Sequence, residues 1–487
     1  MRISKLLFLF LVIFLEGYVV LSAELITIRQ IIPYTGSGTD TVSIIIAAVL
    51  MPMAVGYFAG GNFKPRQNFR VRKKLLRNIL LATLFLLPGL SYLFIDIFFT
   101  TLNANGLNDR LINTTIFSAL FIVTPVYLLA QTIPLASHYL KKETLSYATG
   151  KMLFFSTLGS FMGAIFSTLV LMNYLGVHYT ATITIICLCL LYILLSHKRG
   201  FSNILPMVVI AGIALVINSG KVMESQDIVE NNQYNTIKIL EMDNGASRIL
   251  SLNNNFSSKH IDESFLANPA EDMDKVSGKY VNYINHNFIA PIRDNGPVKS
   301  ILVIGAGGFT VGLHDAKNDY TFIDIDDSLK DISEKYFLKR KLQPNKKFDA
   351  IPARAFLKKA IHEEKQYDLV VVDAYQGNFS LPEHLVTKEF YEDVKKVVKD
   401  DGIVIGNYLL SPNFSDRLSL HIDNTLRQVF PNIGRQILRD YNGWDDNPKA
   451  TANMLYIYYK KVEGIGGVYT DNKNQAAYDR EEPLPAE

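Results

Sequence analysis

Apolar and polar positions alternate on two different scales along this chain. Over residues 1–220, long runs with almost no charge follow one another, whereas over residues 221–487 short apolar runs are separated by polar stretches of helical length. Crossing the hydrocarbon of a bilayer takes ~20 apolar residues in one helix. Runs of that size lie near 5–26, 41–60, 76–99, 111–133, 151–173, 179–196 and 202–219. The pattern predicts a polytopic α-helical membrane domain over 1–220 with about seven helices. The seventh run is short and contains Pro206, so it also fits a re-entrant or interfacial segment. The opening "MRISK" with a later "LSA" resembles a signal peptide, but the apolar run is longer than such peptides carry, which favours an uncleaved span.

The second half reads as α/β. "YNTIKILEMDNGASRILSLN" (234–253) places two strand-like segments around Asp243-Asn244-Gly245, a hairpin signal, and predicts a small β unit over 225–265. An amphipathic helical stretch follows near 271–289. Apolar strand candidates then recur at 300–305, 320–326, 348–352, 367–374 and 402–408, with helical segments such as 327–341 and 387–400 between them. Strand–helix alternation predicts a parallel, doubly wound Rossmann-like sheet over 266–462. "TANMLYIYYK" is expected as an antiparallel edge strand, and residues 463–487 as a disordered tail.

Charge adds orientation. Lys64, Arg66, Arg70, Arg72, Lys73 and Lys74 follow the second run, Lys141, Lys142 and Lys151 lie between the fourth and fifth, and Lys198 and Arg199 follow the sixth, while the alternate loops hold little beyond Arg29 and Arg110. The positive-inside rule places the N-terminus and these loops in the cytoplasm, and seven spans then put 221–487 on the other side. The side of the second half therefore turns on whether the seventh run crosses. A net charge of +3 gives no support to a nucleic-acid partner. The only cysteines, Cys187 and Cys189, sit inside an apolar run, which excludes a disulfide framework and a thiolate metal site; no metal is expected. Glu16 and Asp96 fall inside predicted spans, where acids line a polar path or pair structurally. Gly159 and Gly163 form a GxxxG suited to close helix packing.

In doubly wound sheets, ligands sit at the carboxyl ends of the strands. "ILVIGAGGFTVG" (301–312) ends a strand in Gly305, Gly307 and Gly308, where missing side chains admit a ligand to the backbone. "YTFIDIDD" ends in Asp324, with Asp326 beside it; an acid about 20 residues beyond the glycines suits ribose hydroxyls, although Asp326 equally suits a helix cap. "YDLVVVDAYQG" ends in Asp373, followed by Tyr375.

Together these segments resemble the spermidine synthases, polyamine aminopropyltransferases with a methyltransferase-type fold. "VIGAGGFT" resembles their cofactor loop, "FIDID" their "VEID" strand end, and "YDLVVVDAY" the strand that carries their catalytic aspartate. "LSAELITIRQIIPYTGSG" and "AVGYFAGG" resemble membrane-fused relatives. The resemblance implies transfer of an aminopropyl group from decarboxylated S-adenosylmethionine, or use of S-adenosylmethionine itself. In it Asp373 and Tyr375 are catalytic, and Gly305, Gly307, Gly308, Asp324 and Asp326 bind the cofactor. It departs at Gly308, where the family has an aspartate, at Phe309 and Thr310 in place of further glycines, at Val281 and Asn282 in place of a His-Glu pair, at Pro352 and Gln376 in place of acids, and at Asn235. A dicationic substrate is recognised by several carboxylates, and few remain here. The implied partners are a lipid bilayer and a small-molecule amine, with a homo-oligomer left open, and the implied location is the inner membrane of a bacterium. Two alternatives stand beside the transferase: a ligand-binding module that has lost the chemistry, and a transporter-like protein whose second half senses a ligand.

Overall fold

The computed structural model describes residues 3–64, 68–139, 145–196, 201–266, 276–375, 381–438 and 451–462. The N-terminal half is a bundle of apolar helices. Among the described residues five are long and apolar enough to cross a membrane: Leu7–Thr35, Thr39–Gly61, Arg110–Ser137, Thr149–Leu195 and Ile204–Glu224. The expected span at 76–99 is interrupted, because Arg70–Gly89 and Tyr92–Ala104 are bent by 66° about Leu90 and Ser91. Thr149–Leu195 would be roughly 70 Å long if straight, over twice the hydrocarbon thickness. It breaks at Gly176, whose φ of 81° and ψ of 163° no helix contains.

That break reverses the chain. Gly159 and Gly163 pack on the Phe14 and Tyr18 carbonyls, and Ser167 Oγ lies 2.9 Å from Ser22 Oγ, so this helix runs parallel to the first. Beyond Gly176 the order inverts. Gly176 shares the neighbourhood of Asn231 with Arg29, while Thr184 Oγ1 returns to Ser22 Oγ at 2.8 Å. The last helix, Phe201–Ile217, is continuous through Pro206. Asp96 accepts a hydrogen bond from Tyr34 Oη at 2.6 Å, so it pairs within the bundle.

The two ends of the bundle differ. At one end Phe63, Val71, Leu75, Leu135 and Tyr139 cluster, and Arg72 Nε donates to the Leu195 carbonyl. At the other end Tyr92 packs with Met223 and Ile228, and Thr39 Oγ1 lies 3.2 Å from the Glu383 carboxylate. The α/β half therefore sits on the end remote from the basic segment Arg70–Lys74. Lys141, Lys142, Lys198 and Arg199 lie outside the described residues.

The expected hairpin is part of a four-stranded antiparallel sheet, β1 (Ile228–Asn231), β2 (Thr236–Met242), β3 (Ser247–Leu252) and β4 (Asn255–Ile261), in that order. Asn253 and Asn254, at φ 52° and 62°, form the two-residue turn between β3 and β4, the left-handed pair that matches strand twist.

Seven strands follow: β5 (Ser300–Ile304), β6 (Asp319–Asp324), β7 (Lys346–Ala350), β8 (Tyr367–Val372), β9 (Val398–Leu410), β10 (Gly434–Leu438) and β11 (Ala452–Tyr459). Their order is β10-β11-β9-β8-β5-β6-β7, with only β11 antiparallel to its neighbours. This is the methyltransferase-like Rossmann arrangement. The β11 segment is interior rather than the expected edge, because β10 covers it. Alternate residues of β5 face opposite layers. Leu302 and Ile304 pack with Phe356, Leu357 and Phe390, and Ile301 and Val303 with Val281, Ile284 and Phe337. Of the stretch expected as helix at 271–289, residues 271–275 lie outside the described residues and the helix begins at Lys279. The segment after β6 is helical only in pieces, Leu329–Ile332 and a wider turn over Ser333–Phe337.

Candidate active site

The order of strands reverses at the parallel pair β5 and β8, and ligands of such sheets sit over the carboxyl ends at that point. A cavity of about 570 Å³ opens at this point, lined among others by Gly305, Gly307, Asp324, Tyr280, Asp373, Tyr375, Asn407 and Pro352. That size suits one small-molecule ligand.

Gly305 ends β5 at φ 95°, and a Cβ there would run into the Asp373 carbonyl, so only glycine lets the β5 and β8 ends approach. Gly307, at φ 48°, faces Ser257 and Ser258 of β4 and lines the cavity. Gly308 does not line it. Its amide donates to Ser258 Oγ at 2.9 Å, and Phe337 fills the space a side chain would need. Phe309 holds a φ of 58° although fully buried against Phe322 and Phe348. The turn thus keeps a glycine-type conformation without the glycine, at a cost of about 1–3 kcal/mol.

Asp324 ends β6. Its Oδ2 accepts the Ala306 amide at 3.1 Å and its Oδ1 the Asp326 amide at 3.2 Å. Burial pushes its pKa up to about 6, against the lowering effect of those amides. A carboxylate so desolvated gains from further hydrogen-bond donors, which ribose hydroxyls supply. Asp326 is fully buried and not in the cavity wall. Its oxygens accept from Asn232 Nδ2 at 2.9 Å, Asn235 Nδ2 at 2.8 Å and Ser328 Oγ at 2.6 Å.

Asp373, just past β8, is gripped on both oxygens. Tyr280 Oη donates to Oδ2 at 2.7 Å and Asn407 Nδ2 to Oδ1 at 2.9 Å. Burial raises its pKa, and these two donors partly offset that. The Tyr280 hydroxyl is pushed well above its ordinary value by burial and by the adjacent Asp373, so it stays a proton donor. Tyr375 also lines the cavity, but its hydroxyl is engaged elsewhere: it donates to the Asn407 carbonyl at 3.1 Å and accepts the Leu409 amide at 2.7 Å. Sequence reasoning missed Tyr280 and Asn407, which lie 93 and 34 residues from Asp373. Of the departures from the family pattern, Pro352 lines the cavity, Val281 is buried in the core and Asn282 bonds the Ser277 backbone at 2.9 Å. Gln376 lies outside the described residues. The cavity's other charged or titratable groups among the described residues are Lys259, Lys279 and His384.

Residues 280–439 match the family model described as the spermine/spermidine synthase domain. The polyamine aminopropyltransferase of Vibrio vulnificus is 30% identical over 148 residues, covering 29% of this chain and 47% of that protein. The Clostridium beijerinckii polyamine aminopropyltransferase is 31% identical over 132 residues, covering 26% and 46%. The chain thus spans about half the length of the curated relatives it matches. Among solved structures, spermidine synthase from Thermotoga maritima aligns at a TM-score of 0.34 and 16% identity, covering 52% of this chain and 82% of that one. A spermidine synthase in complex with the transition-state analogue AdoDATO aligns at 0.35 and 17%, covering 51% and 76%. The C-terminal part of this chain carries a spermine/spermidine synthase domain, set behind an N-terminal half of apolar helices.

Proposed function

We propose that the protein is a membrane-anchored transferase that moves an aminopropyl group from decarboxylated S-adenosylmethionine, or a close adenosyl sulfonium, to a small amine. The observation that carries this reading is the pairing of two half-buried carboxylates, Asp324 and Asp373, at the ends of β6 and β8 in one cavity.

The residues fit such a donor. Asp324, raised to about 6, would gain from the hydroxyl donors a ribose offers, and Gly305 and Gly307 leave the backbone open to it. Bound there, the sulfonium supplies an electrophilic carbon beside its sulfur. A primary ammonium has no lone pair, so the acceptor must lose a proton before it attacks. Asp373 is the base placed to take that proton, and its raised pKa strengthens it in that role. Tyr280 and Asn407 fix the carboxylate in one orientation and leave its remaining lone pairs to the cavity. Tyr375, tied to β9 by its hydroxyl, acts through its ring as wall. Product formation by the purified full chain, compared with Asp373→Asn, tests this reading.

A second reading is favoured by the placement of the α/β half away from the Arg70–Lys74 segment. If the bundle spans a membrane with that segment in the cytoplasm, the cavity faces outward. S-adenosyl compounds are made in the cytosol, so an outward cavity would serve as a binding module for another ligand. Alkaline phosphatase and GFP fused separately after residue 487 distinguish the two. Active phosphatase with dark GFP supports the binding module, and the reverse supports the transferase.

A further inference from the structure

One line of hydrogen bonds runs from the first helix of the bundle to the cavity. Arg29, on Leu7–Thr35, is 5% exposed. Its Nε donates to the Asn232 carbonyl at 2.8 Å, and its Nη2 reaches Thr236 Oγ1 at 3.3 Å and Asn231 Oδ1 at 3.4 Å. These three acceptors begin and end the β1–β2 turn, so the guanidinium fork fixes that turn from below. The turn is closed on itself, because Asn232 Oδ1 accepts the amides of Tyr234 and Asn235 at 2.8 Å and 2.9 Å. From it Asn232 and Asn235 each send an amide group to one oxygen of Asp326, at 2.9 Å and 2.8 Å. The Asp326 amide then donates to Asp324 Oδ1, at the cavity wall.

Nothing in the sheet requires this path. Asp324 already has the Ala306 amide within its own domain. The path adds a second hold whose far end lies in another half of the molecule. Most of its polar members are buried, and apart from Arg29 Nη1 and Asn231 Nδ2, which have no partner among the described residues, their side-chain atoms are paired; such a network loosens when one partner is removed. The charges also agree. Arg29 and Asp326 attract one another across Asn232.

We propose that Arg29 is a positioning residue for the adenosyl pocket, holding the Asp324–Ser328 turn in its ligand-ready form through Asn232 and Asp326. The helical half is then part of the binding site's support rather than an anchor alone. A change in the packing of the first helix is transmitted to the carboxylate that would hold the ribose. This rests on the functional reading above only for the identity of the ligand.

The test uses the full chain in detergent micelles, as wild type, Arg29→Gln and Arg29→Lys. The first readout needs no ligand: hydrogen–deuterium exchange at the Ala306 and Asp326 amides, the two that bond Asp324. We expect at least tenfold faster exchange at Asp326 in Arg29→Gln and an intermediate value in Arg29→Lys, with the Val370 and Val371 amides of β8 unchanged. The second readout is affinity for 5′-methylthioadenosine, expected to fall about tenfold in Arg29→Gln. In turnover with the decarboxylated donor, the loss is expected in donor KM rather than in kcat. Should Arg29→Gln fail to fold, Asn232→Ala keeps the backbone carbonyl that Arg29 uses and removes the amide to Asp326, and the same exchange change is expected. Unchanged exchange at Asp326 in folded Arg29→Gln and in Asn232→Ala overturns the proposal, whatever binds. Wild type that fails to bind the nucleoside overturns the adenosyl reading alone, and the exchange result still decides the coupling.

Discussion

The two halves of the molecule treat their surfaces differently. On the second helix Met51, Val55 and Phe58 are 74%, 48% and 73% exposed, and their spacing makes one continuous apolar face. Leu153, Phe154, Leu158, Phe161 and Ile165 extend another such face. In the α/β half the exposed apolar side chains, such as Phe265, Val298 and Leu418, stand singly, as on any water-soluble domain. Acids differ as well. The site acids Asp324, Asp326 and Asp373 each hold two or more donors, whereas Glu16 in the bundle has one buried oxygen with none. Continuous apolar faces are the pattern of helices solvated by lipid, and hydrogen-bonded acids at strand ends that of a domain selecting a polar ligand.

The sharpest way to break this contrast lies in the site. If Asp373 is the base, Asp373→Asn lowers turnover about 10²- to 10⁴-fold while the fold is kept, read by product formation and circular dichroism. A paired surface test comes next. Met51→Lys places a charge on a face read as lipid-facing, at a cost of about 2.5–3.5 kcal/mol at a helix centre, and is expected to reduce the carbonate-resistant membrane fraction sharply. Val298→Lys, equally drastic in chemistry, is expected to leave that fraction unchanged. If both behave alike, the two surfaces are not different solvents.

Asp324→Asn removes the charge that accepts ribose hydroxyls and is expected to weaken 5′-methylthioadenosine binding about tenfold to a hundredfold, since hydrogen bonds to a charged group contribute about 1.5–3 kcal/mol. The smallest effect is that of pH. Asp324 is raised from 3.8 to about 6, and the ligand needs it ionised. Affinity should therefore rise by up to tenfold per pH unit approaching 6 and level off above it. Without ligand the sign is opposite. The folded state holds this proton more tightly than the unfolded chain, so Asp324's contribution to stability is greatest at low pH and falls as pH rises through that same window. Calorimetric binding and unfolding across pH 4–8 check both.

What could be read from the sequence followed from local signals. Gly305, Asp324 and Asp373 each end an apolar run, and a strand's end is fixed by the run itself. Partners brought in from elsewhere carried no such mark. Tyr280 reaches Asp373 across 93 residues, and Asp326, which by its neighbours suits a cofactor ligand or a cap, takes its partners from the β1–β2 turn. Gly308 looks like a cofactor glycine by its neighbours, yet Phe337 decides its surroundings. In the bundle, hydropathy found the apolar runs but not the 66° bend between Gly89 and Tyr92, which depends on packing rather than composition. The β11 segment reads as an edge but lies inside the sheet, because β10, which covers it, has too little apolar pattern to announce itself.

Aminopropyl transfer in the cavity over the carboxyl ends of β5 and β8, with Asp373 as base, is tested most directly by mass-spectrometric detection of 5′-methylthioadenosine from purified full chain given decarboxylated S-adenosylmethionine and a panel of small amines. The nucleoside is expected to appear in step with an aminopropylated amine, and both to nearly vanish in Asp373→Asn. No nucleoside from wild type, or equal amounts from wild type and the variant, would contradict it.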